Sequence, residues 1–155
     1  MEPDKALSRA AALCSRSEQC ESDIRAKLQQ WEVEPVDADA IITRLLHEHF
    51  LDEQRYARAY VHDKFLYNGW GPVKLSSMLH LKGISSDSIA QALEQFSSND
   101  YHNTLRRLLQ GKWREVKGRE PRLARAALLR FAASRGFDAD TCYRCLNELL
   151  DGDFD

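Results

Sequence analysis

One short pattern occurs three times in the chain: Asp39-x-Ile41-x3-Leu45, Asp87-x-Ile89-x3-Leu93 and Asp140-x-Cys142-x3-Leu146. A repeat of this kind constrains the fold more than any single residue does. Each copy must be one element of a unit of roughly 50 residues, too small to bury a comfortable core without its neighbours. The two apolar anchors of each copy lie four apart and share one face of a helix. The acid two places earlier belongs in that helix's first turn, at the positive end of its dipole. Lys82-Gly83-Ile84 precedes the second copy and Arg135-Gly136-Phe137 the third, each placing a Gly where a preceding helix would end in the left-handed conformation. Pro72 and Pro121 open the helices that those glycines close. From Pro to Gly is 11 residues in one case and 15 in the other, so the later helix is longer by about one turn. The first unit has Trp31-Glu32-Val33 instead of a Gly, with three extra residues before Asp39, so its helix is expected to close with a different cap.

Helical spacing continues elsewhere, as in Tyr56, Ala57, Tyr60, Val61 and Phe65, or Leu75, Met78 and Leu79. The period-two alternation of a half-buried strand is absent, and Leu and Ala outweigh Val and Ile. The expected architecture is all-α: three tandem three-helix units forming an elongated helical-repeat array. The units are residues 4–50, 51–97 and 98–150, and an acidic stretch without helical periodicity, 151–155, follows them.

Composition adds exclusions. With 43% apolar and 30% charged side chains the chain is not a disordered tail, and no apolar run approaches the ~18 residues of a membrane helix. Glu2 and Asp4 occupy a start with no apolar region, unlike a secretory signal, so a cytoplasmic protein is expected. Cys14, Cys20, Cys142 and Cys145 are then expected as free thiols. The net charge of −2 hides an asymmetry: Arg106 to Arg135 holds ten bases against two acids, leaving the rest of the chain at −10. Such a segment is either a contact surface for a polyanion or acidic partner, or an ordinary solvated helix face.

Candidate chemistry is sparse. Cys142-Tyr143-Arg144-Cys145 is a C-x-x-C inside a helix, and the other Cys pair has the wrong spacing to complete a four-ligand zinc site. Cys142 takes the place of Ile41 and Ile89, which reads as buried apolar filling. His47 and His49 diverge on a helix and are expected at the surface. There is no Gly-rich phosphate loop, no nucleophile elbow and no nucleophile with an obvious base, so neither an enzyme nor a metal or cofactor is expected.

The most distinctive stretch is Leu51-Asp52-Glu53-Gln54-Arg55-Tyr56-Ala57-Arg58-Ala59-Tyr60-Val61, followed by Lys64, Asn68-Gly69-Trp70-Gly71-Pro72 and Lys82-Gly83-Ile84. Asp52 can cap a helix and pair with Arg55 one turn on. Tyr56, Tyr60 and Val61 fall on a buried face, while Arg58, His62 and Lys64 point elsewhere. Trp70, between two glycines, either packs beneath the turn or anchors a partner.

This succession of an acid-capped aromatic helix, a Gly-x-Gly-Pro turn and a helix ending in Lys-Gly-Ile resembles the RecX family of RecA regulators. The resemblance runs from about Ala6 to Leu150, is strongest from Leu51 to Ile84 and weakest in the third unit. It implies a monomeric regulator that binds the RecA filament on single-stranded DNA. Such a regulator lies along the filament groove and restrains strand exchange, ATP turnover and repressor cleavage. The candidate contacts are Lys64, Trp70, Lys74 and Lys82 in the middle unit, and Arg106, Arg107, Lys112, Arg114, Lys117, Arg119, Arg122 and Arg125 in the third. Arg114, Lys117 and Arg119 are expected in the connection before the helix that carries Arg122 and Arg125. Asp52, Arg55, Tyr56, Tyr60, Gly69, Gly71, Pro72 and Gly83 are expected to build the scaffold. The rival expectation is a direct nucleic-acid-binding protein without a specific protein partner.

Overall fold

The computed structural model describes residues 1–152. They form nine helices and no strand: α1 Pro3–Arg16, α2 Glu21–Gln30, α3 Pro35–His47, α4 Glu53–Asn68, α5 Pro72–Leu81, α6 Ser86–Leu93, α7 Ser98–Val116, α8 Pro121–Ser134 and α9 Ala139–Leu150. The chain is therefore all-α, with three successive groups of three helices. No described helix is long and apolar enough to cross a membrane. Asp151 and Gly152 turn after α9, and the rest of the expected acidic stretch lies outside the described residues.

Pro72 and Pro121 are the first residues of α5 and α8, as their fixed φ and missing N–H favour. Gly83 and Gly136 follow those helices with φ of 80° and 90°. Each cap sends two N–H groups back to orphan carbonyls: Gly83 and Ile84 donate to His80 and Leu79, and Gly136 and Phe137 donate to Ala133 and Ala132.

Two expectations require correction. The first unit uses the same cap, not a different one: Glu32 takes φ 59° while Glu32 and Val33 donate to the Gln29 and Leu28 carbonyls. Burial of Val33 against the core holds that turn even though its left-handed residue carries a Cβ. Asp39 is not in a first turn, because Pro35 opens α3 four residues earlier; it instead pairs with Arg25 at 2.7 Å. Asp87 and Asp140 do lie in first turns.

By compactness the chain divides into two bodies, 1–60 with 79–92, and 61–78 with the chain from Leu93 onward. Helices α4 and α5 each contribute to both. In the first body α1, α2 and α3 pack mutually around Ala6, Ala10, Ile24, Leu28, Ile42 and Leu45, where small residues on α1 permit close approach. In the second, α7, α8 and α9 pack around Leu105, Leu109, Leu128 and Leu146. Phe65, Phe96 and Tyr101 cluster beside them, with ring centroids 4.5 and 4.7 Å from Phe65. Ser97 and Asp100 form a reciprocal capping box that starts α7.

Candidate functional site

In the first body the start of α4 is structural. Asp52 accepts the Arg55 N–H at 3.0 Å, as an N-cap should. The Arg55 guanidinium, expected on Asp52, is instead taken by Glu18 at 2.6 Å and by the carbonyls of His49 and Phe50. Those carbonyls follow the end of α3, where a cation is favoured, so Arg55 ties the α1–α2 connection and the end of α3 to α4. The Glu18 bond raises the Arg55 pKa further above its ordinary value. Tyr56 is buried and Tyr60 half-buried, with centroids 6.0 Å apart. Burial pushes both phenol pKa values up.

Lys82 belongs to this body and is engaged. Its Nζ lies 3.1 Å from Asp23, and its carbonyl accepts the Ser22 hydroxyl at 2.9 Å. Burial disfavours its charge, but the Asp23 bond outweighs that and raises the pKa. Nearby, Glu53 accepts both hydroxyls of Ser85 and Ser88 and the Ser85 N–H. Burial would raise the Glu53 pKa, yet these bonds leave it below its ordinary value.

The second body holds the aromatic corner. Gly69, at φ 67°, follows the end of α4, and Gly71 directly precedes α5. The first N–H groups of α5 have no partner within their own helix. They find one in the cap of α8: Val73 and Lys74 donate to the Gly136 carbonyl at 2.8 and 3.3 Å, and Gly71 donates to the Arg135 carbonyl at 2.7 Å. Arg135 Nη1 returns a bond to the Asn68 carbonyl at 3.2 Å. A Cβ on Gly71 would lie 2.6 Å from the Gly136 oxygen, and one on Gly136 would overlap Lys74, so both glycines are needed for space. The interlock fixes Trp70, which is half-buried, with Lys74 Nζ 4.2 Å and Lys64 Nζ 5.0 Å from its ring centroid. Cation–aromatic contacts of this kind contribute about 0.5–1 kcal/mol each.

The basic residues separate by environment. Helix α7 carries Arg106, Arg107, Lys112 and Arg114, the connection carries Lys117 and Arg119, and α8 carries Arg122 and Arg125. Arg114 was expected in the connection, but apolar packing of Val116 extends α7 past it. Arg107, Arg114, Lys117, Arg119 and Arg122 are exposed. Arg106 lies 4.0 Å from Glu148, and Lys112 pairs with Glu115 at 3.9 Å while reaching over Phe131 at 5.5 Å. A shallow cleft of about 330 Å³ brings Lys112 and Arg119 together with Arg130, Phe131 and Ser134. Arg130 and Phe131 were not singled out from sequence. Their period along α8 was readable, but which face meets α7 was not.

The C-x-x-C residues are both buried. The Cys142 thiol donates to the Phe137 carbonyl, and burial, with Glu148 adding, pushes the Cys145 pKa up to about 12.

Comparison with known proteins places this geometry. Family models for the first, second and third three-helix domains of RecX match residues 6–45, 52–93 and 99–146 in that order. A "Regulatory protein RecX" of Pseudomonas savastanoi pv. phaseolicola is 32% identical over 141 residues, covering 89% of this chain and 87% of that protein. Another, from Xanthomonas campestris pv. campestris strain B100, is 30% identical over 99 residues, and the match spans only 60% of its length. Among solved structures, a regulatory protein RecX superposes with a TM-score of 0.87 at 24% identity over 94% of this chain and 73% of the other. RecX from Lactobacillus salivarius superposes with a TM-score of 0.83 at 18% identity over 95% and 96%. The chain belongs to the RecX family, whose matched relatives are named regulatory proteins.

Proposed function

We propose that this protein is a regulator that binds the RecA filament on single-stranded DNA as a monomer, without catalysing a reaction. In this reading it restrains strand exchange, ATP turnover and repressor cleavage. The observation that carries the reading is the ordered succession of all three RecX domains along one chain. The contact surface is assigned to Trp70 with Lys64 and Lys74, and to the bases of α7, of α8 and of the connection between them. Trp70 suits an anchor because it is held by backbone bonds around it while its ring stays partly accessible.

The test is a RecA ATPase titration on single-stranded DNA. Replacing Arg114, Lys117, Arg119, Arg122 and Arg125 together by Gln leaves thermal unfolding nearly unchanged and weakens inhibition at least tenfold. Unaltered inhibition at physiological salt would reduce these bases to a solvated face. Trp70→Ala is expected to cost at least about 2 kcal/mol of binding, or roughly 30-fold, with melting close to that of the parent. A stability loss of about 3–5 kcal/mol instead would make Trp70 a packing residue.

A second reading, direct nucleic-acid binding without RecA, draws on the cleft where Lys112, Arg119 and Arg130 surround Phe131. Bases beside an aromatic face suit phosphate contact with stacking.

A further inference from the structure

Helices α7 and α9 bring together three groups that are remote in sequence. Cys145 is fully buried, with Sγ 3.4 Å from Nδ1 and 3.9 Å from Nε2 of His102. Glu148, one turn further along α9, places Oε2 3.2 Å from the same Nε2. One donor atom from each residue lies within 4.8 Å of the other two. We propose that His102, Cys145 and Glu148 form a three-ligand site for Zn²⁺ that joins α7 to α9, with water completing the tetrahedron.

The spacing suits the ion. Ligands at about 2.0–2.3 Å in a tetrahedron stand roughly 3.3–3.6 Å apart. The separations from Nε2, 3.2 Å to the carboxylate and 3.9 Å to the sulfur, bracket that range, and because the sulfur also lies 3.4 Å from Nδ1, binding requires the His102 ring to turn so that the Nε2 lone pair faces the space between Cys145 and Glu148. The donor set also discriminates. One imidazole nitrogen, one thiolate and one carboxylate match a borderline-soft cation, whereas magnesium and calcium take oxygen ligands. The His102 and Glu148 side chains are 16% and 31% exposed, while Cys145 is buried.

The chelate does not use the C-x-x-C pair. Cys142 is one turn away in the opposite direction and is committed to the Phe137 carbonyl. Binding exchanges the Cys145 thiol proton, and any proton on the coordinating His102 nitrogen, for the ion, and both protons pass to solvent. Arg106, 4.0 Å from Glu148 Oε2, places a positive charge against the incoming cation and moderates affinity. Because the three ligands converge only in the folded chain, the ion acts as a staple between two helices of the basic unit.

The test is titration of the full chain with Co²⁺ followed by displacement with Zn²⁺. A single equivalent of cobalt should give the sulfur-to-metal charge-transfer band and the visible bands of tetrahedral coordination, both removed by zinc. Cys145→Ser should abolish the charge-transfer band, and Glu148→Gln should weaken cobalt affinity at least tenfold. Cys14→Ser should retain both signals, and Arg106→Gln should tighten binding. Zinc at about a hundred times its dissociation constant should raise Tm by roughly 5 °C, an increase reversed by chelator. Glu148 is partly exposed, so its variant decides the question if Cys145→Ser fails to fold. No charge-transfer band, a band undiminished in Cys145→Ser, or a cobalt affinity unchanged in Glu148→Gln would overturn the proposal and leave the trio as a hydrogen-bond network.

Discussion

The two helix-to-helix joints that involve α5 differ, although similar short sequences mark them. At the C-terminal end of α5, the cap meets α2 through side chains: the Ser22 hydroxyl on the Lys82 carbonyl, and Asp23 on the Lys82 ammonium. Nothing lies within 4 Å of a Cβ built on Gly83. At the N-terminal end of α5, the partner is the cap of α8 and the bonds are backbone to backbone, with Gly71 and Gly136 pressed together. Gly83 therefore meets a conformational requirement alone, whereas Gly136 meets a conformational and a spatial one. A shared Gly-apolar signature identifies the cap but says nothing about what is docked on it.

The largest expected effect that could break this comparison comes from Gly136→Ala. The left-handed penalty of about 1–2 kcal/mol adds to an overpacking cost of about 1–3 kcal/mol, for a loss of roughly 2–5 kcal/mol in denaturant unfolding. Gly83→Ala should lose only the first part, about 1 kcal/mol. Equal losses at the two positions would dissolve the distinction. Gly71→Ala isolates the spatial part, because Gly71 has no positive φ, and should cost about 1–3 kcal/mol. It should also release the aromatic corner, read as a change in Trp70 fluorescence.

Glu32 sharpens the conformational part from the other direction. It occupies the place of Gly83 and Gly136 with φ 59°, so Glu32→Gly should stabilise the first body by about 1 kcal/mol. A neutral or destabilising result would mean that the unfolded chain's gain in freedom cancels the relief.

The smallest effect is on pH dependence. Glu53 has a folded pKa below its ordinary value, so its contribution is complete above about pH 4.3, the unfolded value, and is lost as pH falls through the lowered one. Thermal unfolding between pH 5 and 3 should fall less steeply for Glu53→Gln than for the parent. Parallel slopes would show that the bonds to Ser85 and Ser88 do not discriminate the charged form.

Much of the helical frame was legible because its punctuation is local. Pro72, Pro121, Gly83 and Gly136 act through their own φ angles, and the apolar anchors act through a fixed period. The readings that failed depended on partners or on residues without a signature. Glu32 gave no sign that it would accept a left-handed turn, since that conformation is imposed by burial of Val33. Arg55 chose Glu18, 37 positions away, over the adjacent Asp52. The grouping of Lys112 with Arg130, and of His102 with Cys145, required knowing how α7 rotates against α8 and α9. Those rotations are set by side-chain packing across helices, which one sequence does not display.

The proposed function rests on recognition of a protein filament rather than of DNA alone, and one measurement addresses that directly. Binding of the full chain to preassembled RecA–single-stranded DNA filaments and to bare single-stranded DNA should be followed over a series of salt concentrations. The filament should be bound more tightly than bare DNA, with an affinity that changes little with salt. Equal affinity for both, falling with a log–log slope near −3.5 as expected for about five phosphate contacts on a single strand, would contradict the account and leave direct nucleic-acid binding in its place.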